Sequence, residues 1–152
     1  RMTLQAYETG RLPLMRDGSQ WRTWVHVQDT AAAICHLLDT DAGRINGQVY
    51  NVGSAACKVQ LQAVAALVAR VVPREVEIEL YGDPDTRSYR ASFAKIEGLG
   101  FRARPRIADG VAQICEALDG GAVDRSERTV NLSWYQRLQK ESSGIFDIPG
   151  RT

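Results

Sequence analysis

Between residues 59 and 82 the spacing of apolar residues switches from a helical period to a strand period, with a single proline at the boundary. In VQLQAVAALVARVV, residues 59–72, Leu61, Val64, Ala65 and Val68 fall along one side of a helix, with Leu67 and Val71 beside them. Pro73 cannot continue that helix, because it has no N–H to give and its ring clashes with the preceding turn. EVEIELYG, residues 75–82, then alternates charged and apolar residues, the pattern of a strand with one wet face. A helix running straight into a strand sets the expected class as mixed α/β.

The rest of the chain reads as short elements of both kinds. Residues 2–9 predict a helix stopped by Gly10, and residues 12–20, with Pro13 and an Asp17-Gly18 pair, an extended segment and a turn. WRTWVHV, residues 21–27, is aromatic and β-branched and predicts a strand. Asp29 or Thr30 is the expected cap of the next helix, AAAICHLLDT, whose apolar face would carry Ala33, Leu37 and Leu38. QVYNVG, residues 48–53, predicts a short strand. Ser92 and Asp109 are expected to cap two further helices, and a last helix is expected near 129–142. The expected organisation is one domain over residues 1–141 and a loose tail over 142–152. No run of βαβ units is long enough for a complete parallel sheet, which suits part of something larger.

Composition narrows the function classes. Over 152 residues the net charge is +1, which argues against a broad electrostatic grip on nucleic acid or a membrane surface. No apolar run approaches the roughly 18–20 residues that span a bilayer. The 3 cysteines, Cys35, Cys57 and Cys115, form no CxxC pair and suit a reducing compartment, so the cytoplasm is the expected location. Cys35 and Cys115 lie among apolar residues of expected helices and are expected to be buried and inert. His26 and His36 stand at no recognised metal-ligand spacing, so no metal site is expected.

Three groups of residues could carry chemistry: Arg22 with Trp21, Trp24, His26 and Asp29; Asn51 with Gly53; and Asp85, Arg87, Tyr89 and Arg90. An arginine offers a planar fork of donors suited to phosphate. Two forks from distant chain positions could clamp a diphosphate, and nearby aromatic rings could stack on a base or cover a sugar. The plainer alternative pairs each arginine with a surface carboxylate. His26, flanked by Val25 and Val27, is either a satisfied structural histidine or a catalytic one.

These segments bear a resemblance in register. RTWVHVQDTAAAI, residues 22–34, resembles the R-D-F-V-H-V-D-D-V-A-x-A stretch of extended short-chain dehydrogenases/reductases, the nucleotide-sugar epimerases and dehydratases. GQVYNVGS, residues 47–54, is similar to their G-x-x-Y-N-V-G strand. DTRSYRASFAKIEGLGF, residues 85–101, resembles their D-x-R-x-Y-R-x-S-x-x-K-I-x-x-x-L-G-F segment, and residues 104–118 and 129–138 resemble the helices that follow.

The resemblance implies the C-terminal, substrate-binding portion of that fold, without its main dinucleotide-binding Rossmann half. It implies a nucleoside diphosphate sugar as ligand, with Arg22 and Arg87 on the phosphates and Tyr89 and Arg90 close by. Asn51 would shape a turn. For a full-length relative it implies NAD(P), yet no three glycines here have the Gly-x-x-Gly-x-x-Gly spacing that brings a backbone up to a pyrophosphate. The family's catalytic tyrosine stands four residues before a lysine. Four residues beyond Tyr7, Tyr50, Tyr81, Tyr89 and Tyr135 stand Arg11, Ser54, Asp85, Phe93 and Gln139. The expectation is therefore no cofactor site and no catalytic residue in this chain alone. Three functions remain open: a truncated nucleotide-sugar-binding protein, a non-catalytic interaction or self-associating protein, and a separately expressed part of an NAD(P)-dependent sugar enzyme whose partner is an N-terminal Rossmann half.

Overall fold

A computed structural model describes residues 1–83, 87–104, 106–123 and 131–141. Asp85 and the expected tail over 142–152 lie outside the described residues. The chain divides into two compact units, Arg1–Glu116 and Ala117–Thr152.

The first unit opens with helix α1, Met2–Thr9, which ends as its sequence predicts. Gly10 takes a left-handed conformation (φ 69°), and its N–H bonds back to Ala6. Arg74 Nη1 donates to the last carbonyls of α1, Tyr7 O at 2.7 Å and Glu8 O at 2.9 Å, placing a cation at the negative end of the helix. Strand β1, Arg11–Met15, pairs in parallel with β4, Glu77–Tyr81, in the register Leu12↔Ile78 and Leu14↔Leu80. Arg16 N–H also reaches Tyr81 O. By alternation the Leu12 and Leu14 N–H groups face β4, and the ring nitrogen of Pro13 faces the other edge, where no donor is lost.

Helix α4, Leu61–Val71, lies over this pair, and Val64, Ala65 and Val68 are buried as its spacing predicts. They join Ala6, Leu12, Leu14, Val72, Val111 and Cys115 in the larger core. Leu12 and Val68 are fully buried, each contributing about 1.5–3 kcal/mol of transfer free energy. No side chain caps α4. Its first N–H groups go instead to the turn after β1: Leu61 N to Gln20 O at 3.1 Å and Gln62 N to Gly18 O at 2.9 Å. That turn is shaped by Asp17, whose Oδ1 accepts the Ser19 N–H at 2.9 Å. The same bond holds the Asp17 carboxyl below the usual carboxylate range.

The second core holds Ala33, Phe93, Ile96 and Phe101, with Leu37, Tyr50 and Val52 packed against it. Helix α2, Val27–Leu38, covers it, joined by α3, Ala42–Ile45, and α5, Ala94–Glu97. Ser92 Oγ takes the Ala94 N–H at 3.5 Å. Helix α6, Ile107–Asp119, follows, and Val111 and Cys115 are buried. In the second unit, Gly121 N–H bonds to Leu118 O, and α7, Asn131–Glu141, agrees with the helix expected near 129–142.

Several expectations are corrected. The strand expected over 21–27 is β2, Trp21–Thr23, paired antiparallel with β3, Lys58–Gln60; past Thr23 one more backbone bond, Trp24 N–H to Cys57 O at 3.0 Å, precedes the start of helix α2 at Val27. Helix α2 starts at Val27 with His26 as its cap, so neither Asp29 nor Thr30 caps it. Residues 48–53 form no strand, since no described segment lies alongside to complete a ladder; Tyr50 and Val52 turn into the second core and Val49 turns out. Helix α6 begins at Ile107, ahead of Asp109. Leu38 and Cys35 are exposed, as are Ile78 and Leu80, so neither face of β4 is buried as its alternation predicts.

Two outcomes follow from these positions. A Cβ at Gly53 would stand 2.7 Å from the buried Phe93 ring, so Gly53→Ala should cost about 1–3 kcal/mol by overpacking, read as a lowered Tm. A thiol reagent should label Cys35 on the native protein and reach Cys57 and Cys115 only on unfolding; equal labelling of all three would contradict the burial described.

Candidate functional site

Strand β2 is the spine of the site. Its alternation sends Trp21 and Thr23 to one face and Arg22 to the other. The segment 87–91 runs alongside it, fastened at three points. Trp21 N–H donates to Ser88 Oγ at 3.0 Å, Tyr89 N–H to Trp21 O at 3.3 Å, and Ala91 N–H to Thr23 Oγ1 at 3.4 Å.

This fastening brings together residues more than sixty positions apart in the chain. Arg22 Nη1 donates to Trp21 O at 2.8 Å and to Arg87 O, and its guanidinium lies 5.2 Å from the Tyr89 ring centre. Arg90 stacks on Trp21 with its guanidinium carbon 3.6 Å from the ring centre. The expected quartet of Arg22, Arg87, Tyr89 and Arg90 is thus gathered along one strand, organised as two cation–aromatic pairs on opposite faces. Arg22 meets Arg87 through the latter's backbone carbonyl. A desolvated cation–aromatic pair contributes about 2 kcal/mol and an exposed one less; Tyr89 is exposed and Trp21 half-buried, so these pairs orient the guanidinium planes more than they stabilise the fold.

Lys58 stands opposite Thr23 in the β2–β3 register, on the face of Trp21 and Arg90, with its ammonium 5.3 Å from the Phe93 ring centre. Nothing in the sequence marks it, because its place depends on strand register. Ser88 and Thr23, which clip the two segments, were equally invisible.

The other candidates have structural partners. Asn51 Nδ2 donates to Ser92 O at 3.2 Å, tying the 48–53 segment to the start of α5. Asp29, only 5% exposed, accepts from Arg104 N–H at 3.3 Å and lies 3.6 Å from Arg106 Nε. It ties α2 to the start of α6. His36 Nε2 lies 3.1 Å from Leu99 O, and its ring packs near Phe101. Burial pushes the Cys57 thiol up, which leaves it protonated and a poor nucleophile near neutrality. Among the described residues no group of three or more His, Cys, Asp or Glu side chains could hold a metal ion. No described helix is long and apolar enough to cross a membrane.

A dinucleotide pyrophosphate needs glycines that open a helix. Two glycines close helices instead: Gly98 N–H bonds to Ala94 O at the end of α5, and Gly121 N–H to Leu118 O at the end of α6. The first N–H groups of α4 are taken by Gly18 and Gln20 carbonyls.

Residues 1–53 match the sequence model of the NAD dependent epimerase/dehydratase family. The chain is 31% identical over 102 residues to the low-salt glycan biosynthesis protein Agl12 of Haloferax volcanii, with 66% of this chain and 32% of that protein covered. It is 30% identical over 105 residues to a dTDP-glucose 4,6-dehydratase of an Actinoplanes species, with 67% and 32% covered. In fold it is similar to the UDP-glucuronic acid 4-epimerase of Bacillus cereus, solved with UDP-glucuronic acid and NAD (TM-score 0.65, 18% identity, 78% of this chain and 39% of that one). A second solved likeness is the dTDP-glucose 4,6-dehydratase of Bacillus anthracis, in complex with NAD (TM-score 0.61, 23% identity, 78% and 38%). The chain spans about a third of the length of these curated relatives. Its fold is the mixed α/β fold of part of an extended short-chain dehydrogenase/reductase, and its sequence is similar, over that partial region, to nucleotide-sugar epimerases and dehydratases.

Proposed function

We infer that this chain corresponds to the substrate-binding, C-terminal part of a nucleotide-sugar epimerase or dehydratase, and that it binds the diphosphate of a nucleoside diphosphate sugar without performing catalysis by itself. The observation that carries this reading is the fastening of residues 87–91 to β2, which brings Arg22 beside Tyr89 and the Arg87 backbone. A guanidinium carries five N–H donors in a fixed fork. Arg22 uses Nη1 to hold the segment in place, and one fork can both anchor backbone and meet a phosphate oxygen. Arg87 and Tyr89 would border the same ligand. The similar folds include a protein solved with UDP-glucuronic acid and NAD, which supports this ligand class and, for a longer chain of this kind, NAD(P). Reaction, sugar and base depend on residues beyond those gathered here.

Calorimetric titration with UDP, dTDP, CDP and GDP, with NAD for comparison, tests the reading. Saturable binding of one diphosphate is expected, weakened at least about tenfold in Arg22→Lys and Arg87→Ala, since a charge-assisted bond contributes about 1.5–3 kcal/mol. The reading fails if no diphosphate binds, or if both variants bind like the parent.

A second reading has its own observation. On α2, Val27, Ile34 and Leu38 are 76%, 56% and 79% exposed, and Val49 is 82% exposed. An apolar stripe of this kind favours association, either with another copy or with a Rossmann half. A concentration-dependent rise in mass by light scattering is expected on this reading; a monomer at high concentration would sink it.

A further inference from the structure

We propose that the free edge of β4 pairs with β4 of a second copy of this chain, joining the two small sheets into one across a two-fold axis at Glu79. Among the described residues β4 has one sheet neighbour, β1. Glu77 N–H donates to Gly10 O, and Tyr81 O accepts from Arg16 N–H. Glu77, Glu79 and Tyr81 therefore direct their backbone groups to β1, and by alternation Ile78 and Leu80 direct theirs away from it. No described residue bonds to those outward groups. The side chains of the same two residues share the face of the buried Leu12 and Leu14, their register partners, yet are 37% and 65% exposed. An open edge and an uncovered apolar face coincide at Ile78 and Leu80.

Natural sheets guard such edges with proline, lysine or a bulge. The outer edge of β1 carries Pro13, whereas β4, EIELY, has no proline or lysine and keeps a continuous register. Pairing is open on one side and blocked on the other, so it closes at a dimer and does not grow into a fibre. Antiparallel two-fold pairing must set outward-facing residues opposite each other, which leaves axes at Ile78, Glu79 or Leu80. Charge chooses among them. An axis at Ile78 opposes Glu77 to Glu79 of the second copy, and the reverse, and like charges directly opposite are destabilising. An axis at Leu80 sets Glu77 against Asp83 and leaves Ile78 opposite Gly82. An axis at Glu79 overlaps the whole strand, with Ile78 against Leu80 and Glu77 against the Tyr81 hydroxyl. Its one like-charge pair, Glu79 with its own copy, is already neutralised: Arg11 Nη1 lies 3.2 Å from the Glu79 carboxylate.

This surface uses none of the residues gathered along β2 and none of the exposed stripe on α2. The pairing is therefore independent of the diphosphate reading, and it extends the face of Leu12 and Leu14 through Ile78 and Leu80 of both copies.

Sedimentation equilibrium of the parent, Leu80→Lys and Ile34→Lys, with amide hydrogen exchange alongside, tests the proposal. A parent dimer is expected. Leu80→Lys should weaken it at least about tenfold, since an ammonium replaces an apolar contact in each copy, and Ile34→Lys on α2 should leave it unchanged. In the parent, the Ile78 amide should gain exchange protection as protein concentration rises; in Leu80→Lys it should not. A parent that stays monomeric up to about 1 mM overturns the proposal. So does a dimer that Ile34→Lys breaks and Leu80→Lys spares, or one in which the Ile78 amide exchanges freely. Protection that appears only on adding a protein of different sequence would assign the edge to that partner and overturn self-pairing as well.

Discussion

Two backbone carbonyls hold this fold together at its most exposed weakness. Helix α4 supplies much of the larger core but starts without a capping side chain. The Gly18 and Gln20 carbonyls of the β1–β2 turn accept its first N–H groups. The turn must lie close for this, and it does: a Cβ at Gly18 would sit 2.8 Å from Gln62 N and 2.9 Å from a Leu14 methyl. Gly18 also has φ 64°, a conformation in which an added side chain would be strained. One glycine therefore sets how β1, β2 and α4 meet. Strand β2, which carries Arg22, begins directly after this turn.

The candidate site shows how a weak sheet can still order a constellation. The β2–β3 ribbon is three residues long on each side, too short to be stable alone. It persists because β3 leads directly into α4, because Val59 packs on the larger core, and because residues 88–91 clip onto its other edge through Ser88, Trp21 and Thr23. Arginine and aromatic side chains from two distant segments are thereby fixed by backbone geometry, and the stacking of Arg90 on Trp21 adds orientation.

Much of this was legible in the sequence where periodicity is long. Residues 2–9, 61–71 and the last helix agree with the helices expected there, and 77–81 forms the expected strand but leaves Ile78 and Leu80 exposed. The failures are local and have physical causes. WRTWVHV has strand composition, but composition does not supply a partner, and β3 provides only three residues of ladder. His26 has no place among the usual capping residues, so the start of α2 was placed too late in the chain. QVYNVG is a strand sequence without a neighbour. For the site, residue type singled out Arg22, Arg87, Tyr89 and Arg90, but only the resemblance joined them to one ligand, since nothing in local pattern links residue 22 to residue 89. Lys58 depends on register across β2 and β3, and register is not written in either segment alone.

The two hydrophobic cores are interleaved along the chain. The larger draws on residues 2–24, 59–76 and 107–115, and the smaller on 33–52 and 91–103. The polypeptide thus leaves the first core twice to build the second and twice returns. Neither core can be completed by a continuous stretch during synthesis, and each requires closing a loop through the other. The arrangement raises contact order, which slows folding, and it makes the links near residues 24–33, 52–57, 76–91 and 103–107 the places where the two could open separately as distinct cooperative units. Asp29 with Arg104 and Arg106 spans two of those links at once. A buried carboxylate that looks like local electrostatics is, in this sense, a stitch between two halves of a folding pathway.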